Sequence, residues 1–192
     1  MGAGYLQLRY TGKKMNIETD LNKIKILGEK KEKENFKFRS YLKNLEIEIE
    51  ELDNFVHKIN DEVTRQIDCT KCGNCCKSVK PVLDNEDNNK FAKGLKITPK
   101  EMLDNFCKVG EEEANKYEFK SIPCPFLKDN NCTNYEYRPK DCQSYPHLQK
   151  EDFVFRLWGV IDNYSICPIV FNVFEILKKE LWNRNWRQSL EN

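Results

Sequence analysis

Four thiols fall within eight positions at residues 69–76, Cys-Thr-Lys-Cys-Gly-Asn-Cys-Cys, in a chain that carries only two histidines. Two Cys-x-x-Cys steps share Cys72, a spacing that lets a tight turn aim successive sulfurs at one centre, as in zinc knuckles and iron–sulfur ligand runs. Cys76 follows Cys75 directly. Neighbouring side chains tend to diverge, so this pair is expected to serve two centres or to share a thiolate rather than bind one ion together.

Whether sulfur at this density means disulfides or metal depends on the compartment. The opening stretch, MGAGYLQLRYTGKK, lacks the apolar core of a secretory signal. No later stretch approaches the roughly 18 apolar residues of a membrane span. The expectation is a cytoplasmic chain without membrane contact, where a reducing milieu directs cysteines to metal or redox chemistry. Lysine plus arginine total 32 against 31 acids, interspersed to a net charge of +1, which gives no electrostatic pull towards nucleic acid.

The periodicity predicts a mainly α fold with small β content: a loop-rich, metal-organised core and a long N-terminal amphipathic helix. Residues 1–35 are expected to be a partly flexible tail, 36–66 the helix, and 67–192 a cysteine-cluster domain. In the helix, Phe38, Leu42, Leu45, Ile49, Leu52, Val56, Ile59 and Val63 step by four and three, a heptad stripe. It packs either on the chain's own core or, through residues 38–63, on a second copy in a homodimer; the first reading is preferred. A short helix should end near Gly94. Thr98, Pro99 and Glu101 form a well-made helix start, and that helix should carry Leu103, Phe106 and Cys107 on one face. Cys107 is therefore a core thiol, the odd one of nine. Residues 117–148 show no period and need an organiser. DFVFRLW at 152–158 alternates like a strand, and a helix should start at Pro168 with Val170, Val173, Phe174 and Leu177 on one face.

Without Cys107 the thiols are Cys69, Cys72, Cys75, Cys76, Cys124, Cys132, Cys142 and Cys167. Eight suffice for two four-thiolate sites, or for one cluster plus other sulfur roles. A soft all-thiolate set suits Zn2+ or an iron–sulfur cluster and argues against magnesium or calcium. Gly73 after Cys72 suits a zinc knuckle. Cys124-Pro125 and Cys167-Pro168 resemble the Cys-Pro that closes ferredoxin ligand runs, although that order is broken at Cys76, and the balance tips to iron–sulfur. Metal at such a site supplies folding free energy of order 10 kcal/mol, so a staple over the irregular region is the plainest role. Lys71, Lys77 and Arg138 are candidates to offset thiolate charge, and His147 is a candidate outer donor or proton carrier near Cys142.

CTKCGNCC, PCPFL, YEYRP, YPHL and CPIVF together resemble the YkgJ family of cysteine-cluster proteins, the CxxCxxCC zinc- or iron-chelating domain, over roughly residues 66 to 170. The resemblance implies that the eight cysteines are the metal-ligand set and that Tyr135, Glu136, Arg138, Pro139, Tyr145 and Pro146 hold motif positions. Asn134 stands where an aliphatic residue is usual and Gln143 where many members have Arg. The family also includes a longer flagellin lysine methylase, which implies an alternative activity on a protein substrate. Neither a GxGxxG loop nor a CxxxCxxC run is present to hold a methyl donor in the usual ways. No triad, P-loop or zinc-protease helix is evident, so no catalytic residue is named. The expected partner is a metal ion, and three functions are carried: an iron–sulfur or zinc protein in redox or metal handling, a methylase-like enzyme, and a zinc-stapled interaction module.

Overall fold

The structure, a computed structural model, describes residues 16–110 and 116–182. It is mainly helical with small sheets, as the sequence predicts. In chain order the helices are α1 (Leu21–Lys30), α2 (Glu32–Lys43), α3 (Ile49–Thr64), α4 (Cys69–Cys72), α5 (Asn74–Ser78), α6 (Asn85–Leu95), α7 (Pro99–Phe106), α8 (Lys140–Ser144), α9 (Leu157–Tyr164) and α10 (Pro168–Leu177). The strands are β1 (Val82–Leu83), β2 (Cys107–Val109), β3 (Tyr117–Phe119), β4 (Leu127–Lys128) and β5 (Asn131–Cys132). The described elements fall into two compact units, one made of the residues up to Ile67 together with those from Pro146 onward, the other of Asp68–Tyr145, which contains all five strands. The cysteine domain expected over 67–192 is thus divided: its last third joins the N-terminal helices.

In the first unit α10 is the hub. Pro168 opens it, and Ile169, Val170, Phe171, Val173, Phe174 and Leu177 are all buried, so apolar residues cover the whole helix rather than one face. The heptad stripe packs inside this unit: Phe38, Leu42, Leu52, Val56, Ile59 and Val63 are at most 1% exposed, while Ile49 is 41% exposed. The expected single helix is two, because the chain leaves helical geometry after Lys43. Asn44 turns its side-chain amide back onto the Ser40 carbonyl at 2.7 Å and competes with the helix ladder. Part of the expected tail is also helical: α1 buries Ile24 and brings Gly28 so close to Ser165 that a Cβ there would lie 2.6 Å from the Ser165 Cβ. The first fifteen residues of that tail lie outside the described residues.

Residues 152–158 form no strand. Asp152 takes a left-handed φ of 59°, Phe153–Phe155 make a 3-10 turn, and α9 follows. The cause is long-range: the buried Asp53 carboxylate of α3 accepts the backbone N–H groups of Asp152 at 2.7 Å and Phe153 at 2.9 Å, turning Phe153 into the core. At the end of α10, the 6%-exposed Lys178 donates to Glu34 at 2.6 Å and Asn35 at 2.7 Å and pairs with Glu175, which also accepts from Tyr164 at 2.7 Å. A buried ammonium is tolerable only when so fully partnered. No single helix among the described residues is long and apolar enough to cross a membrane; α9 together with α10 and its π turn reaches that length but bends by 117°.

The second unit is built on an aromatic core. Phe91, Phe119 and Phe126 pack with ring centroids 4.7–5.6 Å apart, joined by Leu83, Met102 and Cys107. Capping boxes start α6 at Asp84 and α7 at Thr98. α6 ends one residue past Gly94, where a Cβ would lie 2.1 Å from the Asn134 Oδ1. Asn134 is buried there and donates to the Phe91 carbonyl at 2.9 Å, which explains a polar residue at this position. Cys107 is 5% exposed, as expected of a core thiol, but it starts β2 instead of continuing α7. β3 lies between β1 and β2, antiparallel to both, and β4 pairs with β5 as a hairpin with Leu127 opposite Cys132.

Two substitutions test this packing. Asp53→Ala orphans the buried Phe153 N–H, at about 1–3 kcal/mol, and frees the part-buried Asp152 N–H, and should lower the urea midpoint without changing the m-value. Gly94→Ala forces Asn134 and Tyr137 apart and should destabilise by about 1–3 kcal/mol, read by thermal melting of the purified chain.

Candidate metal centre

The cysteine run is shaped by backbone geometry. Asp68 caps α4 by accepting from the Thr70 N–H at 3.0 Å, and Gly73 then takes a left-handed φ of 57° that ends α4 and starts α5. A side chain at Gly73 would meet the Asn130 carbonyl oxygen at 2.9 Å. Asn130 itself ties the β4–β5 turn to this run: its amide donates to the Lys71 carbonyl at 3.2 Å and its side-chain oxygen accepts from Lys77 at 2.6 Å. The Cys124 N–H donates to the Cys76 carbonyl at 2.8 Å. α8, which carries Cys142, is held by the Lys140 N–H donating to Asp87 at 2.9 Å and by Asp141 accepting from the Val82 N–H at 3.1 Å.

These ties bring three sequence segments around one cleft of about 110 Å³, bordered by Cys69, Cys75, Cys76, Cys124, Cys132 and Cys142. Phe91 and Phe119 form part of its wall, and Cys124 and Cys132 also pack on the aromatic core. Of the positions singled out by motif, Tyr135, Arg138, Pro139 and Tyr145 border the same cleft. Cys72 belongs to this unit, half-buried and within electrostatic reach of Cys69, but it does not line the cleft. Cys167 belongs to the other unit, where it is 7% exposed and precedes α10, with its N–H donating to the Asn163 carbonyl at 2.8 Å. His147 also lies in the other unit, and its carbonyl accepts from Arg156 at 2.7 Å. Asn130 was not foreseen; the turn-rich run DNNC was its only trace in the sequence.

Cys75 and Cys76 do not diverge. Their Sγ atoms stand 4.0 Å apart. The expectation of divergence assumed extended backbone, where consecutive Cβ atoms oppose each other; on the turn of α5 they are only about 100° apart. Tetrahedral zinc with sulfur at about 2.3 Å holds its thiolates about 3.8 Å apart, so this pair is able to share one ion.

Electrostatics divides the thiols. A hydrogen bond from Cys75, with the charges of Arg138 and Lys77 outweighing burial, lowers Cys76 to about 7. Burial pushes Cys124 and Cys107 up to about 11 and Cys142 up to about 12, and it raises Cys69 and Cys132. The Arg138 charge works against that rise at Cys69 and Cys132.

Residues 68–158 match the family model of CxxCxxCC, described as "Putative zinc- or iron-chelating domain". This segment is a CxxCxxCC domain. The YkgJ label fits it. No curated protein and no solved structure matches the chain. The CxxCxxCC match covers the whole second unit and continues to Trp158, ending before Cys167.

The residues present fit a chelating domain in kind: six thiols, a single carboxylate, Asp141, among the described residues at the cleft, and an apolar wall. Among the described residues no three His, Cys, Asp or Glu side chains gather closely enough to hold one metal ion. The thiols border an open space several times the 10–15 Å³ or so that a single water-sized occupant needs.

In metal-free protein the thiols should titrate in opposite senses. Cys76, lowered, adds stability as the pH rises from about 7 to 9, whereas Cys124, Cys142 and Cys107, raised, remove it as the pH climbs beyond about 9. A stability maximum near pH 9 in urea titrations, with Cys76 alkylated first by iodoacetamide at neutral pH, is the expected result.

Proposed function

We propose that the CxxCxxCC domain holds an iron–sulfur cluster in its cysteine cleft and that the protein is a cytoplasmic one engaged in redox or metal handling. The observation that carries this reading is the arrangement of Cys69, Cys75, Cys76, Cys124, Cys132 and Cys142 around a space rather than a point. In a polynuclear cluster the thiolates are distributed over two or more irons, so as a set they stand farther apart than four thiolates on one ion. Such a cluster supplies one-electron chemistry. The chain's own residues supply the rest: Phe91 and Phe119 exclude water from one wall, and Arg138 places a positive charge among the thiols.

A second reading, a structural zinc site, is favoured by one distance: the 4.0 Å between the Cys75 and Cys76 sulfurs suits two ligands of a single tetrahedral ion. Such a site would be a staple that closes the loops of the irregular region.

Iron, zinc and acid-labile sulfide per chain, measured on protein purified anaerobically, separate the two. Iron with matching sulfide is expected, lost in Cys142→Ser and Cys124→Ser and kept in Cys107→Ser. Stoichiometric zinc without sulfide would establish the second reading instead.

A further inference from the structure

Three cations stood as candidates to balance thiolate charge, and the structure separates them. Lys71 is 85% exposed and pairs with Asp68 at 3.5 Å. Lys77 donates to Asn130 at 2.6 Å. Arg138 alone of the three borders the cleft. Its guanidinium lies 3.5 Å from the centre of the Tyr135 ring, its Nε donates to the Tyr135 carbonyl at 3.0 Å, and its own carbonyl accepts from the Gln143 side chain at 2.5 Å. Among the described residues it pairs with no carboxylate. The same cleft is bordered by Cys69, Cys76 and Cys132.

We propose that Arg138 is a positioning residue of the metal centre: the Tyr135 ring and carbonyl hold its guanidinium at the cleft so that its charge stabilises the excess negative charge of a metal bound by several thiolates. This rests on the metal-binding reading above. A divalent ion with four thiolates carries a net charge of about −2, as do the common clusters with their four cysteines, and half-burying that charge costs free energy unless a cation stays close. An arginine suits the role because it stays charged at every working pH and because stacking fixes it without consuming its charge. Gln143 serves the same end, bracing the Arg138 backbone from α8, the helix that also carries Cys142.

The test compares wild type, Arg138→Gln, Arg138→Lys and Lys71→Gln as isolated full-length holoproteins. Metal transfer to a chromophoric chelator is followed at equilibrium across salt concentrations. Arg138→Gln should give up its metal at about tenfold lower chelator, in line with the loss when an outer partner of a metal site is removed. The difference from wild type should narrow in high salt. Arg138→Lys should keep most of the wild-type retention, and Lys71→Gln all of it. Wild-type retention in Arg138→Gln, or a loss in Arg138→Lys as large as in Arg138→Gln, would overturn the proposal, the latter assigning Arg138 to packing alone. If Arg138→Gln does not fold by circular dichroism, Arg138→Lys still decides. A wild type isolated without metal would overturn the underlying reading and this inference with it, whereas a loaded wild type matched by Arg138→Gln would overturn this inference only.

Discussion

The cysteine unit depends on holding three stretches of irregular backbone against each other with few regular hydrogen bonds. Two contacts join the first two stretches, the Cys124 N–H on the Cys76 carbonyl and Asn130 bridging Lys71 and Lys77, while Asp87 and Asp141 tie in the third. Each joins residues about fifty positions apart, so each closes a long loop whose entropy cost must be met elsewhere. The aromatic core of Phe91, Phe119 and Phe126 meets part of it, and metal bound across the segments would meet more. That explains how short elements such as α4, α5 and α8, each too small to stand alone, keep thiols at fixed places.

The thiols stand between two opposed effects. Burial favours neutral sulfur at Cys142 and at Cys124, which packs on the aromatic core, whereas the Cys75–Cys76 hydrogen bond and the cleft's cation favour a thiolate at Cys76. A metal resolves the conflict by replacing the protons, at the cost of gathering negative charge in a half-buried place. The site therefore makes chemical sense as a set of ligands more than as a set of resting thiols.

Local signals carried the sequence reading well where the cause was local. Thr98-Pro99 with Glu101, the start at Pro168, the stop near Gly94 and the apolar setting of Cys107 all follow from neighbours within a few positions. It failed where distant residues decide. The alternation of 152–158 gave way to Asp53, a hundred residues away, which accepts two of its N–H groups. The heptad stripe holds for Phe38, Leu42, Leu52, Val56, Ile59 and Val63, but it ran through a break made by Asn44, on whose far side Ile49 is exposed. In the site, residue types revealed the ligand set's chemistry. They did not reveal that Cys75 and Cys76 converge, that Cys72 stands off the cleft, or that Cys167 belongs to the other unit, because those facts depend on the turn at Gly73 and on how the chain returns.

The central claim is that thiols from residues 69–76, from Cys124 and Cys132, and from Cys142 bind one polynuclear centre. X-ray absorption fine structure at the metal edge of the isolated holoprotein tests it most directly. A metal–metal shell beyond the first sulfur shell, weakened in Cys142→Ser, is the result predicted here. A single shell of sulfur at about 2.3 Å with no metal neighbour would contradict it and leave a mononuclear zinc staple in its place.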